Sequence, residues 1–327
     1  MIKRRLGHHG PEVSALGLGC LSFGGIFGAT NEQDSLRTLD AAWDSGINFL
    51  DVANIYGRGL SEEIIGKWLK SSGQRPMIAT KAGIVDGPNR GVDNSDAYLR
   101  TELEGSLRRL GTDHVQLFYA HRHDPRIPAE DLAGTMQRLQ DEGKILGYGL
   151  SEVAPYTVER AHAVHPVTAV QNEYSLWTRL PELGLIQLCA RLGVAFVAFS
   201  PLARGVFGTP ILDPAALAPD EFRSRIPRFS PENWPHNLLK LQEFHRFAQS
   251  RGYHPAALAL AWVLDRAEHI IPIPGTRTAT HLADWAGAAE IDLNDDERRA
   301  IDSIMPIGWA WGDRYDQAMT LTVERYC

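Results

Sequence analysis

The sequence predicts an α/β protein, a (β/α)8 TIM barrel that forms a single domain over residues 1–327. Short apolar runs alternate with amphipathic segments up to about residue 290, and this alternation is typical of a parallel sheet covered by helices. Eight apolar runs favour a closed barrel over an open sheet, because closure leaves no unpaired edge strand. No long linker divides the chain.

The elements follow one another in a regular order. A short N-terminal hairpin is predicted first, turning near Gly10 and Pro11. The strand candidates are then SALGLG, INFLDVA, MIATKAG, HVQLFYAH, ILGYGLS, VTAVQNEY, VAFVAFSP and HIIPIPGT. Helix-like segments between them often open with a capping residue and close on glycine. They include NEQDSLRTLDAAWDSG, SEEIIGKWLKSSG, SDAYLRTELEGSLRRLG, AEDLAGTMQRLQDEG and LPELGLIQLCARLG.

Two segments are longer than the repeat requires. The connection over residues 201–237 is rich in Pro and Arg and too long for an ordinary loop between a strand and a helix, so it predicts a lid. The tail beyond residue 305 carries Trp309, Trp311, Arg314 and Tyr315 and is a second candidate cover. Either segment could instead form a subunit contact.

Composition limits the function classes. The net charge is -7 and no basic block is present, which argues against a nucleic-acid partner. Cys20, Cys189 and Cys327 cannot all pair within one chain and match no zinc spacing, which favours a reducing compartment. The N-terminus has no apolar signal core, and no apolar run reaches the ~18 residues of a membrane span. We therefore expect a soluble cytoplasmic protein without a membrane partner.

Four ionisable residues stand where predicted strands give way to loops, and we call them the tetrad: Asp51, Tyr56, Lys81 and His121. Since the carboxyl ends of barrel strands meet at one mouth, these side chains are expected to form one polar site. An ammonium beside a tyrosine favours the phenolate, which predicts that Lys81 lowers the Tyr56 pKa from its usual ~10. Asp51 is the counter-ion that a buried Lys81 needs, and His121 can donate to a substrate oxygen.

This set predicts carbonyl reduction. The chain has no GxSxG motif, and its cysteines lie outside the strand ends that carry the tetrad. A group that protonates an oxygen, while hydride arrives from elsewhere, reduces a carbonyl and requires a cofactor. The alternative, a metal bound by His121 and His123, lacks a third ligand at a recognisable spacing, so we expect no metal site.

Ordered motifs over nearly the whole chain resemble the aldo-keto reductase family. They are LGLGCLSFGG, GINFLDVANIYGRGLSEEIIGKWL, IATKAG, LGTDHVQLFYAHRHD, EGKILGYGLSE, VQNEYSLW, FSPLARG and IPIPGTRTATHL. The SPLARG, IPIPGTR and GDRY segments look most like bacterial and fungal members that reduce aldehydes and ketones. The resemblance implies that Tyr56 is the general acid and Lys81 its activator. It implies that Asp51 is the partner of Lys81, and that His121 orients the substrate.

The resemblance also implies NADPH, bound in extended form across the barrel mouth without a Rossmann domain. In agreement, GLGCLSFGG lacks the GxGxxG spacing. The residues implied around the nicotinamide are Gly19, Cys20, Ser151, Gln171 and Phe199, and those around the pyrophosphate are Leu202 and Arg204. Asp51 and Ser200 are further implied cofactor contacts. Phe199 stands where the family often has tyrosine, and its phenyl face can still stack. Glu152 stands where many members have asparagine.

At the adenine end the chain departs from the best-known family pattern. The residues here are Gly275, Thr276, Arg277, His281, Asp284 and Trp285. His281 replaces the usual arginine, and Trp285 replaces the usual asparagine. Arg277 can still pair with a 2′-phosphate, so NADP(H) is the expected cofactor and NAD(H) the alternative.

The substrate side is less specified. Its candidate residues are Phe23, Ile55, Arg122, His123, Trp309 and Trp311. They suit an aldehyde, a cyclic ketone or a sugar-derived carbonyl equally. Two further functions stay open: an NAD(P)-dependent dehydrogenase that oxidises a sugar or alicyclic alcohol, and a non-catalytic accessory subunit of a potassium channel that senses the cofactor. The complete tetrad and the lack of a docking segment favour an enzyme acting on a small molecule. The oligomeric state is left open.

Overall fold

The computed structural model describes residues 1–87 and 91–326. The predicted hairpin is formed by β1 (Lys3–Arg5) and β2 (Glu12–Ser14), which pair antiparallel with Lys3 opposite Ser14. Leu6 and Val13, in and beside its turn, are completely buried and pack among residues of the barrel interior. The hairpin therefore closes one end of the barrel, and the open mouth is left at the other.

Eight parallel strands form the barrel, as predicted. They are β3 (Leu18–Gly19), β4 (Phe49–Asp51), β5 (Met77–Ala82), β8 (Leu117–Ala120), β9 (Tyr148–Ser151), β10 (Ala169–Glu173), β11 (Ala195–Phe199) and β12 (Ile270–Ile273). Each lies within one of the predicted runs and pairs with the next along the chain. A parallel bridge between Gly19 and Gly275 joins the first strand to the last. A small hairpin of β6 (Ile84–Val85) and β7 (Gly91–Val92) projects beyond β5.

The described helices surround the barrel. They are α1 (Glu32–Asp44), α2 (Leu60–Ser72), α3 (Asp96–Leu110), α4 (Ala129–Asp141), α5 (Pro155–Val164), α6 (Leu185–Leu192), α7 (Trp234–Ser250), α8 (Pro255–Asp265), α9 (Ala279–Ala283), α10 (Asp295–Ile304) and α11 (Gln317–Thr320). None of them is long and apolar enough to cross a membrane.

Local chemistry explains where the predicted helices begin and end. The Asn31 side chain accepts from the amide of Asp34 and starts α1, and Ser95 does the same for α3. Gly111 ends α3 in the left-handed region. The predicted helix LPELGLIQLCARLG is shorter than expected, because Gly184 has φ 112° and separates a 3₁₀ turn from α6.

The core has two layers. Strand residues that point inward fill the barrel with side chains from Phe49, Met77, Leu117, Tyr119, Val197 and Ile271. The opposite faces of the strands pack against the helices in a second, larger cluster. With its interior filled and its base plugged, the barrel leaves the loops at the carboxyl ends of the strands as the place for a site.

Candidate active site

Asp51 and Lys81, two members of the tetrad, form a buried ion pair on neighbouring strands. Asp51 is the last residue of β4, and Lys81 lies in β5. The Lys81 ammonium contacts a carboxylate oxygen of Asp51 and donates to the carbonyl of Val52 at 2.9 Å. Gln171 donates to the second carboxylate oxygen of Asp51 at 2.7 Å. Both charges are thus paired and almost completely buried, with Asp51 at the edge of the cavity.

Tyr56 completes the chain of contacts. The Lys81 ammonium lies 3.3 Å from the Tyr56 hydroxyl, and its charge lies 5.0 Å from the centre of the ring. The loop after β4 carries Tyr56 back over the strand end, so the phenol faces the cavity while the lysine lies behind it. The Tyr56 phenol, which can donate a proton, is therefore in contact with the buried Lys81 ammonium.

The pKa values correct one sequence-based expectation. Burial raises the pKa of Tyr56, and the Lys81 charge opposes this rise without reversing it. Burial also acts to lower the pKa of Lys81, but Asp51 and Tyr56 offset that effect and the net shift is upward. Burial raises the pKa of Asp51 against the pull of Lys81. The expectation that the lysine brings the phenol pKa below its usual value is therefore wrong: Tyr56 is held protonated and Lys81 charged.

His121 directly follows β8, and its ring lies edge-on to the Tyr56 ring at 5.8 Å. Burial, together with the charges of Arg122 and Lys81, places its pKa well below the usual value. The imidazole is therefore neutral, and its Nδ1 is buried without a hydrogen-bond partner in the described part of the chain. A neutral imidazole can offer one N–H to an oxygen in the cavity.

One cavity of ≈ 630 Å³ runs from the tetrad to the adenine-end residues. Almost every residue expected to contact the cofactor lines it: Gly19, Asp51, Ser151, Gln171, Phe199, Ser200, Leu202, Arg204, Gly275, Thr276, Arg277, His281 and Asp284. Cys20 is the exception. It is completely buried, its thiol donates to the carbonyl of Leu18 at 3.5 Å, and it is not part of the cavity lining.

Most of the residues expected on the substrate side lie elsewhere. Ile55 lines the cavity. Phe23 is completely buried in the core, and His123 is held by Glu324 at 2.6 Å and by the carbonyl of Ile127. Two further candidates, Trp309 and Trp311, belong to the tail and are not part of the cavity lining.

The two tail tryptophans pack outside the cavity. The Trp309 indole donates to the carbonyl of Leu176 at 2.7 Å and packs against Trp177. Trp311 is 54% exposed and stacks on His236. The tail residue that does line the cavity is Tyr315, four positions beyond Trp311.

Two loops meet above the cavity. Phe27, in the loop after β3, lies edge-on to Phe222 of the long connection at 6.3 Å, and the Arg223 guanidinium lies 5.3 Å from the Phe27 ring. All three side chains line the cavity. Sequence reasoning missed them, because the contact joins segments almost two hundred positions apart that no periodicity relates.

A buried ionic cluster lies at the Arg204 side of the cavity. Arg204 pairs with Glu173 at 2.9 Å, and Arg314 contacts both Glu173 and Glu152. Burial alone would raise the pKa of Glu173, but Arg204, Arg314 and Arg228 together lower it. The Glu152 side chain is engaged by Arg314 and by the amide of Glu173, so it serves the cluster and is not a substitute for an amide-binding asparagine.

The adenine end is looser. The Arg277 guanidinium packs closely against Gly28: a Cβ added at Gly28 would lie 2.9 Å from Nη1 of Arg277. No carboxylate among the described residues pairs with Arg277 within the 4.0 Å limit for an ion pair. His254 lies 3.9 Å from Asp284 across this end. Because Arg277 has no acidic partner among the described residues, it can pair with an anionic ligand.

The chain is similar to known proteins over most of its length. A sequence model of the aldo/keto reductase family matches residues 15–306. A probable aldo-keto reductase 1 from Glycine max is 39% identical over 318 residues, which cover 95% of this chain and 91% of that protein. A glycerol dehydrogenase from Gluconobacter oxydans superposes with a TM-score of 0.84 at 30% identity, over 92% of this chain and 94% of that one. The chain belongs to the aldo-keto reductase family and is a nicotinamide-dependent oxidoreductase.

Proposed function

We propose that this protein is an NADPH-dependent reductase that converts an aldehyde or a ketone into an alcohol. The observation that carries the proposal is the Tyr56 hydroxyl, which faces the cavity 3.3 Å from a lysine whose charge is fixed by Asp51. In this position, the Tyr56 hydroxyl can protonate a substrate oxygen on which negative charge develops.

The residues present fit a nicotinamide dinucleotide. Cationic side chains on the cavity wall outnumber the acidic ones, which among the described residues are Asp51 and Asp284. Arg204 lies where the pyrophosphate is expected, with its charge matched by Glu173, and Arg277 lies at the far end without an acidic partner among the described residues. A polyanion placed lengthwise therefore meets unpaired positive charge at Arg277. Phe199, at the end of β11, offers a ring face beside Ser151 and Gln171. When bound, the cofactor supplies the hydride.

The chain's own groups handle the oxygen and the proton. The neutral His121 donates a hydrogen bond to the substrate oxygen and fixes its direction. Tyr56 then transfers its proton to that oxygen, and the Lys81 ammonium stabilises the tyrosinate that remains. Since burial raises the Tyr56 pKa, the donor is in its protonated form at neutral pH. The rate of reduction should therefore fall only as the pH rises far enough to ionise Tyr56.

The choice of NADPH rests on Arg277. A guanidinium without an acidic partner at the adenine end can form a charge-assisted pair with the 2′-phosphate, which NADH lacks. His281 and Asp284 also line this end. Cys20 and Cys189 are buried free thiols, consistent with the cytoplasmic location that we propose.

Alcohol oxidation is the second candidate. The structural neighbour from Gluconobacter oxydans is a glycerol dehydrogenase. The same residues can catalyse the reverse reaction if Tyr56 first loses its proton and then accepts the proton of the alcohol. Since oxidation requires the ionised form and burial raises the Tyr56 pKa, the rate of oxidation should increase as the pH rises towards that pKa.

The proposal is tested by incubating the purified protein with NADPH and a panel of aldehydes, ketones and aldoses, with the reverse reaction measured on glycerol and alicyclic alcohols. We expect loss of nicotinamide absorbance together with an equal amount of alcohol identified by mass spectrometry. Tight cofactor binding without turnover in either direction would overturn the proposal and favour a cofactor-sensing protein.

A further inference from the structure

Arg122 is a charged residue of the cavity wall that the proposed reaction does not use. It directly follows His121, and its guanidinium is half-buried at the tetrad end of the cavity. One terminal nitrogen donates to the carbonyl of His121 at 2.6 Å and lies 3.4 Å from the Ser151 hydroxyl. These contacts fix the position of the guanidinium and leave its other terminal nitrogen without a partner among the described residues.

The charge of Arg122 is also uncompensated. No carboxylate in the described ranges lies within the 4.0 Å limit for an ion pair. Other arginines of the cavity wall are paired, Arg204 with Glu173 at 2.9 Å and Arg223 with Glu221 at 2.6 Å. Asp51, the acidic wall residue nearest in the site, is already matched by Lys81.

The expected cofactor does not supply the missing anion. Its pyrophosphate is placed beside Arg204, and its 2′-phosphate beside Arg277, at the opposite end of the cavity from the tetrad. Arg122 instead lies close enough to act electrostatically on both His121 and Tyr56, the groups that face the reacting oxygen. Ile55 and Ile84 provide apolar wall on this side, which strengthens an ion pair formed there.

We propose that Arg122 binds a carboxylate of the substrate, so that the protein reduces oxo acids whose carboxylate lies a few bonds from the carbonyl. The inference rests on the proposed carbonyl reduction. One uncompensated cation matches a carboxylate monoanion, whereas a phosphate dianion would leave a buried charge unbalanced. The planar guanidinium also suits the two oxygens of a carboxylate. The carboxylate takes no part in the bond changes: hydride adds to the carbonyl carbon, and the Tyr56 proton adds to its oxygen.

The test compares each oxo acid with its neutral amide of nearly the same shape. Suitable pairs are glyoxylate with glyoxamide, succinic semialdehyde with its amide, and para-carboxybenzaldehyde with para-formylbenzamide. For the unmodified protein with NADPH, we expect kcat/KM to favour the acid by about tenfold or more in at least one pair. Equal values for acid and amide in all pairs, with both reduced, would overturn the inference and leave the proposed function intact.

Variants then assign the preference to the residue. Arg122→Met should abolish the acid-over-amide ratio, and Arg122→Lys, which keeps the charge without the planar fork, should retain part of it. Arg246→Met, an exposed arginine of α7, is the matched control and should leave the ratio as it is. A ratio in Arg122→Met equal to that of the unmodified protein would contradict the assignment. If the Met variant does not fold, the ratio measured on the unmodified protein still decides.

A binding measurement separates the two proposals. Para-(hydroxymethyl)benzoate and its amide are titrated into the NADPH complex, with cofactor fluorescence as the readout. If no carbonyl is reduced, but the benzoate binds about tenfold more tightly than the amide and Arg122→Met removes the difference, the proposed function fails and the anion site stands. Equal binding of acid and amide would overturn the anion site.

Discussion

The two ends of the cavity are built differently. At the tetrad end, Asp51, Ser151 and Phe199 are the last residues of barrel strands, and Lys81 lies within one. Pairing with at least one neighbouring strand therefore fixes the backbone at each of these positions. At the adenine end, Arg277 and His281 belong to a loop and to the five-residue helix α9, and Arg277 has no acidic partner among the described residues. The ion pair that positions Tyr56 thus lies on strands, whereas Arg277 lies on a loop.

Removal of the buried charge should have the largest effect on stability. Lys81→Met leaves the Asp51 carboxylate buried and unpaired, and we expect a loss of about 3–5 kcal/mol in the free energy of unfolding together with near-complete loss of turnover. Lys67→Met is the matched control, because Lys67 pairs with Glu32 at the surface and should cost no more than about 1 kcal/mol. Chemical denaturation measures both. Similar losses in the two variants would show that the barrel does not depend on the Asp51–Lys81 pair.

A change at the loop end should act on affinity and leave the fold alone. Arg277→Met is expected to raise the Kd of NADPH by about ten- to a hundredfold, as a lost charged hydrogen bond predicts, and to change the Kd of NADH little. Calorimetric titration with both nucleotides checks this. Equal losses of NADPH and NADH affinity would show that Arg277 does not bind the 2′-phosphate.

The contact between Phe27 and Phe222 above the cavity predicts an effect of intermediate size on the rate of cofactor release. Phe222→Leu removes one side of the ring pair with Phe27. A pair of this kind contributes about 0.5–1.5 kcal/mol, so cofactor release should become about two- to tenfold faster. Stopped-flow displacement of NADPH measures the rate. Phe27→Leu should give the same increase, and the double variant should add little; additive effects would show that the two rings do not act as a pair.

The smallest effect is expected where the tail docks on the barrel. The Glu324 carboxylate accepts from the Ala154 amide at 2.7 Å and from the Thr157 hydroxyl at 2.8 Å, and it contacts His123. Glu324→Gln should weaken docking by about 0.5–1.5 kcal/mol. Hydrogen exchange at the Glu324 amide, which donates to Glu152, reports the docked state.

The pH dependence of this docking has a definite sign. Burial opposes ionisation of both groups, but their mutual contact leaves the His123 pKa raised and the Glu324 pKa lowered. The histidine contribution is complete below its ordinary pKa of 6.5 and is lost as the pH rises through the raised value. The glutamate contribution is complete above 4.5 and is lost as the pH falls through the lowered value. Protection of the tail should therefore be greatest between these two ordinary values. Protection that rises steadily with pH would exclude the His123 contact as a source of docking energy.

The same contrast explains what the sequence could reveal. The residues at strand ends are predictable, because the apolar runs place Asp51, Lys81 and His121 at one mouth of the barrel. This placement does not depend on the conformation of the loops. The tail was not predictable. Trp309 and Trp311 suggested a ligand cover by residue type, yet a backbone carbonyl holds one and His236 holds the other. The direction of the Tyr56 pKa shift was also missed, because the degree of burial, which outweighs the lysine, cannot be read from spacing.

The most direct measurement compares the unmodified protein with Tyr56→Phe, with NADPH affinity measured by fluorescence titration and hydride transfer measured in a single turnover. Since the change removes one hydroxyl and little binding surface, we predict an almost unchanged Kd and a hydride-transfer rate lower by about 10²–10⁴-fold. A near-normal rate in Tyr56→Phe, with the Kd preserved, would contradict the assignment of Tyr56 as the proton donor.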